Sequence, residues 1–256
     1  MDNTSDSIRE GGAIDELISG TGKIFVSYTP AQQRFYQELE AAVRRHSRYL
    51  RKVAGMASVE LPIWYLVAKR SMDIFVSAAG LILLSPLFLV VAALIKIDSR
   101  GPVFFSQERV GKGGKLFKMH KFRTMVADAE KKTGPVWAAE SDPRVTFIGR
   151  FLRKSKIDEL PQLVNLIKGE MSMVGPRPER PFFVEQFANI IPGYTRRLDV
   201  TPGLTGPAQL RNGYDRYAID VIKKLRFDVT YIKKMGLSMD LRLLAETFVS
   251  VLKGKV

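Results

Sequence analysis

The 256-residue chain contains no cysteine. Disulfides, zinc-thiolate sites, iron-sulfur clusters and thiol nucleophiles are therefore excluded. Histidine is nearly absent too: His46 and His120 stand far apart, which leaves no material for a histidine-rich metal site and argues against most Ser-His-Asp arrangements. Acidic residues are outnumbered, 26 against 40 Lys and Arg, giving a formal charge of +14 and a pI near 10.0. No G-x-x-x-x-G-K-[ST] string occurs, since GKGGK has the wrong spacing, and no G-x-G-x-x-G opens a helix after a strand. Ordinary NTPase and dinucleotide readings fall away. What these absences leave is chemistry run by carboxylates, with Lys and Arg handling anionic groups.

The composition is otherwise that of a folded chain, 46% hydrophobic and 26% charged, long enough for one large domain or two small ones. Its charge is uneven. Residues 1–22 carry one basic and five acidic side chains, whereas residues 99–256 carry 29 basic and 16 acidic. The acidic start is expected to be a loosely attached tail, and MDNTSDSIREGG has no basic leader ahead of an apolar run, so no signal peptide is expected.

From Ile74 to Ile95 no side chain is charged. A helix of that length spans about 33 Å, enough for a hydrocarbon core, so the run reads as a membrane segment. Ser85-Pro86 sits at its centre. Proline removes a backbone donor and clashes with the carbonyl four residues back, and Ser85 is placed to satisfy what is freed, so a sharp bend is expected. Both flanks are basic, with Lys69 and Arg70 before and Lys96, Arg100 and Arg109 after. A spanning helix would put the upstream arginines outside against the positive-inside rule, so a re-entrant hairpin with both flanks in the cytoplasm is favoured.

Elsewhere the pattern predicts a basic amphipathic helix over 31–53, suited to a membrane surface or to another chain, and a hairpin over 103–125 turning at Gly111, Gly113 and Gly114. Helices are expected at about 159–168 closed by Gly169, at 182–190, at 216–235, and from Ser238 as a cap to about Leu252.

The densest segment is RVTFIGRFLRKSKIDELPQ, residues 144–162, where five cations lead into adjacent Asp158 and Glu159. One reading makes Asp158 an N-cap followed by a dipole-matching Glu, with Pro161 in the first turn. The other makes the pair a nucleophile or metal ligand beside bound phosphates. In MSMVGPRPE, two prolines fix the backbone around Arg177, either as a rigid surface turn or as a guanidinium fork presented to phosphate. VTPGLTGPAQLRNG reads as a loop ending near Arg211.

Taken in order, KRSMD, the Ser-Pro membrane run, SRGPVFFSQERVG, FKMHKFRTM, SDPRVTFIGRFLRKSKIDELPQ, GEMSMVGPRP and TPGLTGPAQ resemble the bacterial sugar transferase family, the monotopic phosphoglycosyl transferases, from about Tyr65 to Lys253. The resemblance implies transfer of a sugar phosphate from a UDP-sugar to undecaprenyl phosphate at the cytoplasmic face of the bacterial inner membrane. It implies that Asp158 attacks the sugar-bearing phosphate and expels UMP, and that Glu159 binds Mg²⁺, with Mn²⁺ as the alternative. Arg153 and Arg177 would contact phosphate, with Lys121, Arg123 and Arg211 as further substrate-binding candidates. The implied fold is α+β and mostly helical: a re-entrant helix-break-helix hairpin bent at Ser85 and Pro86 over residues 65–98, a cytosolic catalytic domain over 99–256 with interfacial amphipathic helices, and an N-terminal extension over 1–64 of unassigned role. Membrane lipid is an expected partner and nucleic acid is not; a homodimer is left open.

One departure stands out: family members often read GLTGWAQVNGR or GLTGLWQV, whereas this chain reads GLTGPAQLRNG, with Pro207 in place of an aromatic. Two rival classes fit the residues less well. A membrane-tethered nucleic-acid binder has no use for DELPQ beside PRP, and a non-catalytic scaffold of polysaccharide assembly has no use for the dyad.

Overall fold

The computed structural model describes residues 30–129, 142–212 and 217–254, so the acidic segment 1–22 lies outside the described residues. In chain order the elements are α1 (Pro30–Arg45), α2 (Ser47–Ala54), α3 (Ile63–Leu83), α4 (Ser85–Asp98), β1 (Phe104–Val110), β2 (Leu116–Phe122), α5 (Phe147–Lys154), a 3-10 helix (Ile157–Gln162), α6 (Leu163–Lys168), β3 (Ser172–Val174), α7 (Pro181–Ile190), a 3-10 helix (Tyr194–Leu198), β4 (Gly203–Thr205), α8 (Pro207–Asn212), α9 (Ala218–Lys233) and α10 (Leu237–Leu252). The fold is α+β and mostly helical, with two two-stranded sheets: β1 and β2 antiparallel, β3 and β4 parallel.

The basic helix expected over 31–53 breaks into α1 and α2 at His46. Its apolar face does not await a membrane or a second chain. Leu39, Ala42, Leu50 and Val53 are buried in one core with Phe183 and Phe187 of α7 and with Val221, Leu225 and Val229 of α9. Fully burying each such side chain is worth about 1.5–3 kcal/mol, so this part of the chain is built into the same body as the later helices.

No single described helix is long and apolar enough to cross a membrane, but α3 and α4 pass that test as a pair bent by 61°. The bend falls where Ser85-Pro86 predicts it. Pro86 cannot donate to the carbonyl of Ile82 four residues back, and the Ser85 hydroxyl donates to that carbonyl instead, at 2.8 Å.

The helix α3 is inside out. Tyr65, Lys69, Asp73 and Ser77, spaced four apart on one stripe, are buried, while Trp64, Val67 and Phe75 on other faces are exposed. The stripe docks on the body: Lys69 Nζ donates to Asp240 Oδ2 at 2.7 Å and to the Val174 carbonyl at 2.9 Å, the Tyr65 hydroxyl donates to Asp240 at 2.8 Å, and Asp73 accepts from the Met173 amide at 2.8 Å. Arg70 donates to the carbonyls of Leu166 and Ile167 at the end of α6, where a cation meets the negative end of the helix dipole. The far limb returns to the same body, with Val91 and Ile95 of α4 packed against Phe122 and Leu152.

The β1–β2 hairpin forms as expected, turning through Lys112–Gly114, where Gly113 and Gly114 take left-handed φ of 64° and 81°. Other expectations need correcting. Asp158 is not an N-cap: it lies in the first turn of the Ile157–Gln162 3-10 helix, and Lys156, at a left-handed φ of 58°, occupies the capping position. The segment then becomes α6, which does end at Gly169 in the left-handed region. The final helix begins at Leu237 with Gly236, not Ser238, at its N-cap. The stretch after Val200, read as a loop, contains β4 and α8, with Pro207 at the first helical position where its missing N–H costs nothing. The helix α5 was not foreseen; it is capped by Thr146, whose hydroxyl accepts from the Gly149 amide at 3.0 Å.

Removing one partner of a buried ion pair costs about 3–5 kcal/mol because it strands the other charge. Lys69→Met is therefore expected to lower the melting temperature of the detergent-solubilised protein by many degrees, whereas Lys253→Met, at an exposed position, should leave it unchanged. Equal melting of the two variants would show that the α3 stripe does not anchor the helix.

Candidate active site

The Ile157–Gln162 3-10 helix lies across β2, and the loop after β3 brings Arg177 to it. Glu159 stands between two cations. Its Oε1 accepts from Lys121 Nζ at 2.9 Å and from Arg177 Nη2 at 2.5 Å, and its Oε2 faces Arg177 Nη1 at 3.3 Å. Burial opposes ionisation, but the charges and hydrogen bonds of Arg177 and Lys121 outweigh it and hold the Glu159 carboxyl well below the ordinary range.

Asp158 is different. It is only 7% exposed, and its Oδ1 has no hydrogen-bond partner among the described residues. Burial is the largest influence and pushes its carboxyl up; the Glu159 charge adds to that, while Lys121, Arg153 and Arg177 pull it down without reversing the direction. Two adjacent carboxyls are thus driven apart, one firmly anionic and satisfied, the other buried with an unshared oxygen.

The structure brings only some of the candidate residues to this point. Lys121 and Arg177 touch the dyad. Arg153, on the last turn of α5, donates its Nε to Thr124 Oγ1 at 2.9 Å and acts on Asp158 through its charge. Arg123 is turned away: its two terminal nitrogens donate to the carbonyls of Arg100 and Ser99, closing the chain after α4. Arg211 lies on α8 and meets Glu246 of α10 at 3.4 Å, sharing no partner with the dyad. Ser85 and Pro86 sit at the bend between α3 and α4.

Sequence reasoning passed over other residues here. Gln162, four after Asp158, is fully buried and neither end of its amide has a partner among the described residues; its presence in DELPQ was the available signal. Asn165 ties the dyad segment to β2, donating to the Lys118 carbonyl at 2.8 Å while accepting from the His120 amide at 3.1 Å. It thereby sets Lys121, one residue on, opposite Glu159.

This constellation can be set beside known proteins. A family model described as bacterial sugar transferase matches residues 64–254. The chain belongs to the bacterial sugar transferase family. Membership makes it an enzyme of the phosphoglycosyl transferase class. Among its relatives in the family is a Bacillus subtilis protein provisionally named as an undecaprenyl-phosphate N-acetylgalactosaminyl 1-phosphate transferase, 57% identical over 52% of this chain and 74% of its own. A UDP-N-acetylgalactosamine-undecaprenyl-phosphate N-acetylgalactosaminephosphotransferase of Aeromonas hydrophila is 45% identical over 74% of this chain and 45% of its own. The Rhizobium leguminosarum exopolysaccharide production protein PSS is 42% identical over 74% of this chain and 98% of its own. The chain thus spans under half the length of the Aeromonas relative and nearly all of the Rhizobium one.

Because Lys121 pulls the Asp158 carboxyl down, Lys121→Met is expected to move its titration further upward. The measurement is the ¹³C shift of the Asp158 carboxyl against pH in aspartate-labelled protein. A downward move, or none, would contradict the arrangement.

Proposed function

We propose that this protein transfers a sugar 1-phosphate from a UDP-sugar to undecaprenyl phosphate, releasing UMP and starting assembly of an exopolysaccharide, O-antigen or other glycoconjugate. The observation that carries the reading is the buried, unshared Oδ1 of Asp158 among Lys121, Arg153 and Arg177. An oxygen without a hydrogen-bond partner among the described residues has its lone pairs uncommitted, and cations around it suit a diphosphate and the charge-rich transition state of phosphoryl transfer.

In the first step an Asp158 oxygen attacks the phosphorus bearing the sugar, and the bond to the bridging oxygen breaks, so UMP leaves with that electron pair. The product is a phospho-sugar ester of the Asp158 carboxyl. In the second step a phosphate oxygen of undecaprenyl phosphate attacks the same phosphorus and the Asp158–phosphorus bond breaks. The carboxylate is restored and the lipid carries a diphospho-sugar. Arg177 grips the donor's diphosphate with N–H groups not committed to Glu159, and Lys121 draws the Asp158 carboxyl down against the effect of burial.

Glu159, together with the donor's phosphates, would hold Mg²⁺ or Mn²⁺. No group of three metal-ligating side chains exists among the described residues, which fits an ion that takes one or two carboxylates and draws the rest of its shell from phosphate and water. Such an ion supplies neutralisation of charge on the phosphate oxygens. The Aeromonas relative acts, by name, on UDP-N-acetylgalactosamine, and one from Klebsiella pneumoniae on UDP-glucose, so both donors belong in the assay.

The inside-out α3 and the bent apolar pair support a re-entrant membrane hairpin at the cytoplasmic face. Both limbs return to one body, so the apex, with Ile82, Leu83 and Leu89 exposed, is the part that would enter lipid.

Two experiments test the proposal. Purified protein with undecaprenyl phosphate, UDP-N-acetylgalactosamine or UDP-glucose, and Mg²⁺ is expected to release UMP; Asp158→Asn should cut release below a few per cent while still folding, and excess chelator should stop it until Mg²⁺ is restored. Release by Asp158→Asn at the parent rate would mean a different nucleophile, and no release by the parent protein would leave a scaffold as the answer. For topology, single cysteines at Ser47 and Lys253, both exposed and on opposite sides of the hairpin in sequence, should both resist an impermeant thiol reagent in intact cells and react once the membrane is opened. Labelling of position 47 alone from outside means a spanning helix.

A further inference from the structure

Residues 176–180 belong to no helix or strand, yet four consecutive carbonyls there are held by groups from elsewhere. Pro176 O accepts from the Gly203 amide at 2.8 Å, Arg177 O from Arg197 Nη2 at 3.0 Å, Pro178 O from Arg109 Nη1 at 3.0 Å, and Glu179 O from the Val110 amide at 2.9 Å. Two of the four residues are prolines and have no N–H to offer a regular element. The loop's shape therefore comes from outside it.

Two of the four donors are guanidiniums, Arg197 buried and Arg109 partly buried, an expensive choice for binding neutral carbonyls. Arg197 is 5% exposed. Its Nη2 is shared between Arg177 O and Asp228 Oδ2 at 2.9 Å, its Nη1 donates to the Tyr194 hydroxyl at 2.7 Å, and its plane lies 5.3 Å above the Tyr194 ring centre. Arg109 also donates to Gln107 at 2.6 Å, and both arginines lie within 4 Å of Glu179. Burial pushes the Arg109 guanidinium down to about 10, opposed by Glu179 and reinforced by the nearby charges of Arg177 and Arg180. A fork that meets three acceptors in fixed directions does what a lysine cannot.

Resting on the reading of Arg177 as the group that grips the donor's diphosphate, we propose that Arg109 and Arg197 are positioning residues for the reaction, clamping the backbone at Arg177 and at the next residue so that its guanidinium stays aimed at Glu159. Arg177 is a long side chain whose freedom would otherwise be lost at each turnover, and displacement of a catalytic group by about 1 Å costs on the order of a hundredfold in rate.

A double-mutant cycle tests this, because residues acting through one another are not additive. Arg197→Lys and Arg109→Met are each combined with Arg177→Ala and assayed by UMP release from UDP-N-acetylgalactosamine or UDP-glucose, whichever the parent protein uses. Each single clamp variant is expected to lose at least tenfold in kcat/KM, and less than twofold further when Arg177 is already Ala. Equal losses in both backgrounds, or parent rates in both singles, overturn the clamp and leave the transferase reading intact; a parent protein that releases no UMP from either donor defeats that reading instead. If Arg197→Lys does not fold, Arg197→Met with Asp228→Leu removes the buried pair without stranding a charge. A measurement free of substrate runs beside these: the ¹⁵Nε relaxation order parameter of Arg177 should fall in either clamp variant, and an unchanged value refutes the clamp whatever the rates.

Discussion

A carboxylate between two cations organises the candidate site of this protein. Glu159 accepts from Lys121 and Arg177, and those three side chains come from a 3-10 helix, a strand and an irregular loop that are far apart in sequence. Each must arrive within hydrogen-bonding distance, because a partly buried charge left unpaired costs far more than the pair returns. Much of the surrounding structure meets that demand. Asn165 locks β2 to the dyad segment, and the left-handed Lys156 reverses the chain after α5 so that Asp158 and Glu159 face inward. Such a conformation in a residue other than glycine is held only when its neighbours over-determine it.

The strings in the sequence are pieces that interlock. A methyl group on Gly149 would collide with the Thr124 carbonyl, so the FIGR and KFRT strings each leave room for the other. A side chain on Gly203 would strike the backbone of Gly175, and the Gly175 amide donates to the Thr205 carbonyl at 2.9 Å. The close approach of two chains needs glycine on both, which is why GPRP and TPGLTG carry it.

What could be read from the sequence follows from how local each signal is. The bend at Ser85-Pro86, the hairpin with its glycine turn and the stop at Gly169 rest on one residue's backbone chemistry, and all are present. The dyad and Arg177 were legible because a charge cluster beside fixed prolines is unusual. Features set by distant partners were not. The pairing of β3 with β4 joins three-residue strands about 30 positions apart, too short to show a period. Arg123 was chosen as a phosphate contact because it is basic, and only the approach of Ser99 and Arg100 reveals that its hydrogen bonds are spent on backbone. Arg211 was chosen for the same reason and pairs with Glu246. The basic face of α1 and α2 suggested an interface, but an amphipathic pattern does not say whose core it completes. As residues, Lys69 and Arg70 read as a basic flank of the apolar run; in the fold they are, with Asp73, its foundation.

That foundation has a consequence for how the helix pair behaves. The buried stripe of α3 fits its seat in one register only: sliding the helix by one residue moves it 1.5 Å along its axis and turns it by about 100°, which would carry Lys69 away from Asp240 and Asp73 away from the Met173 amide together. Piston and roll are thus both forbidden at the root. With Val91 and Ile95 of α4 seated on Phe122 and Leu152, the second limb is held as well, so the angle at Ser85 and Pro86 is fixed from both sides. The pair is a braced arch, and the dyad, on the body that carries both feet, keeps a set distance from its apex.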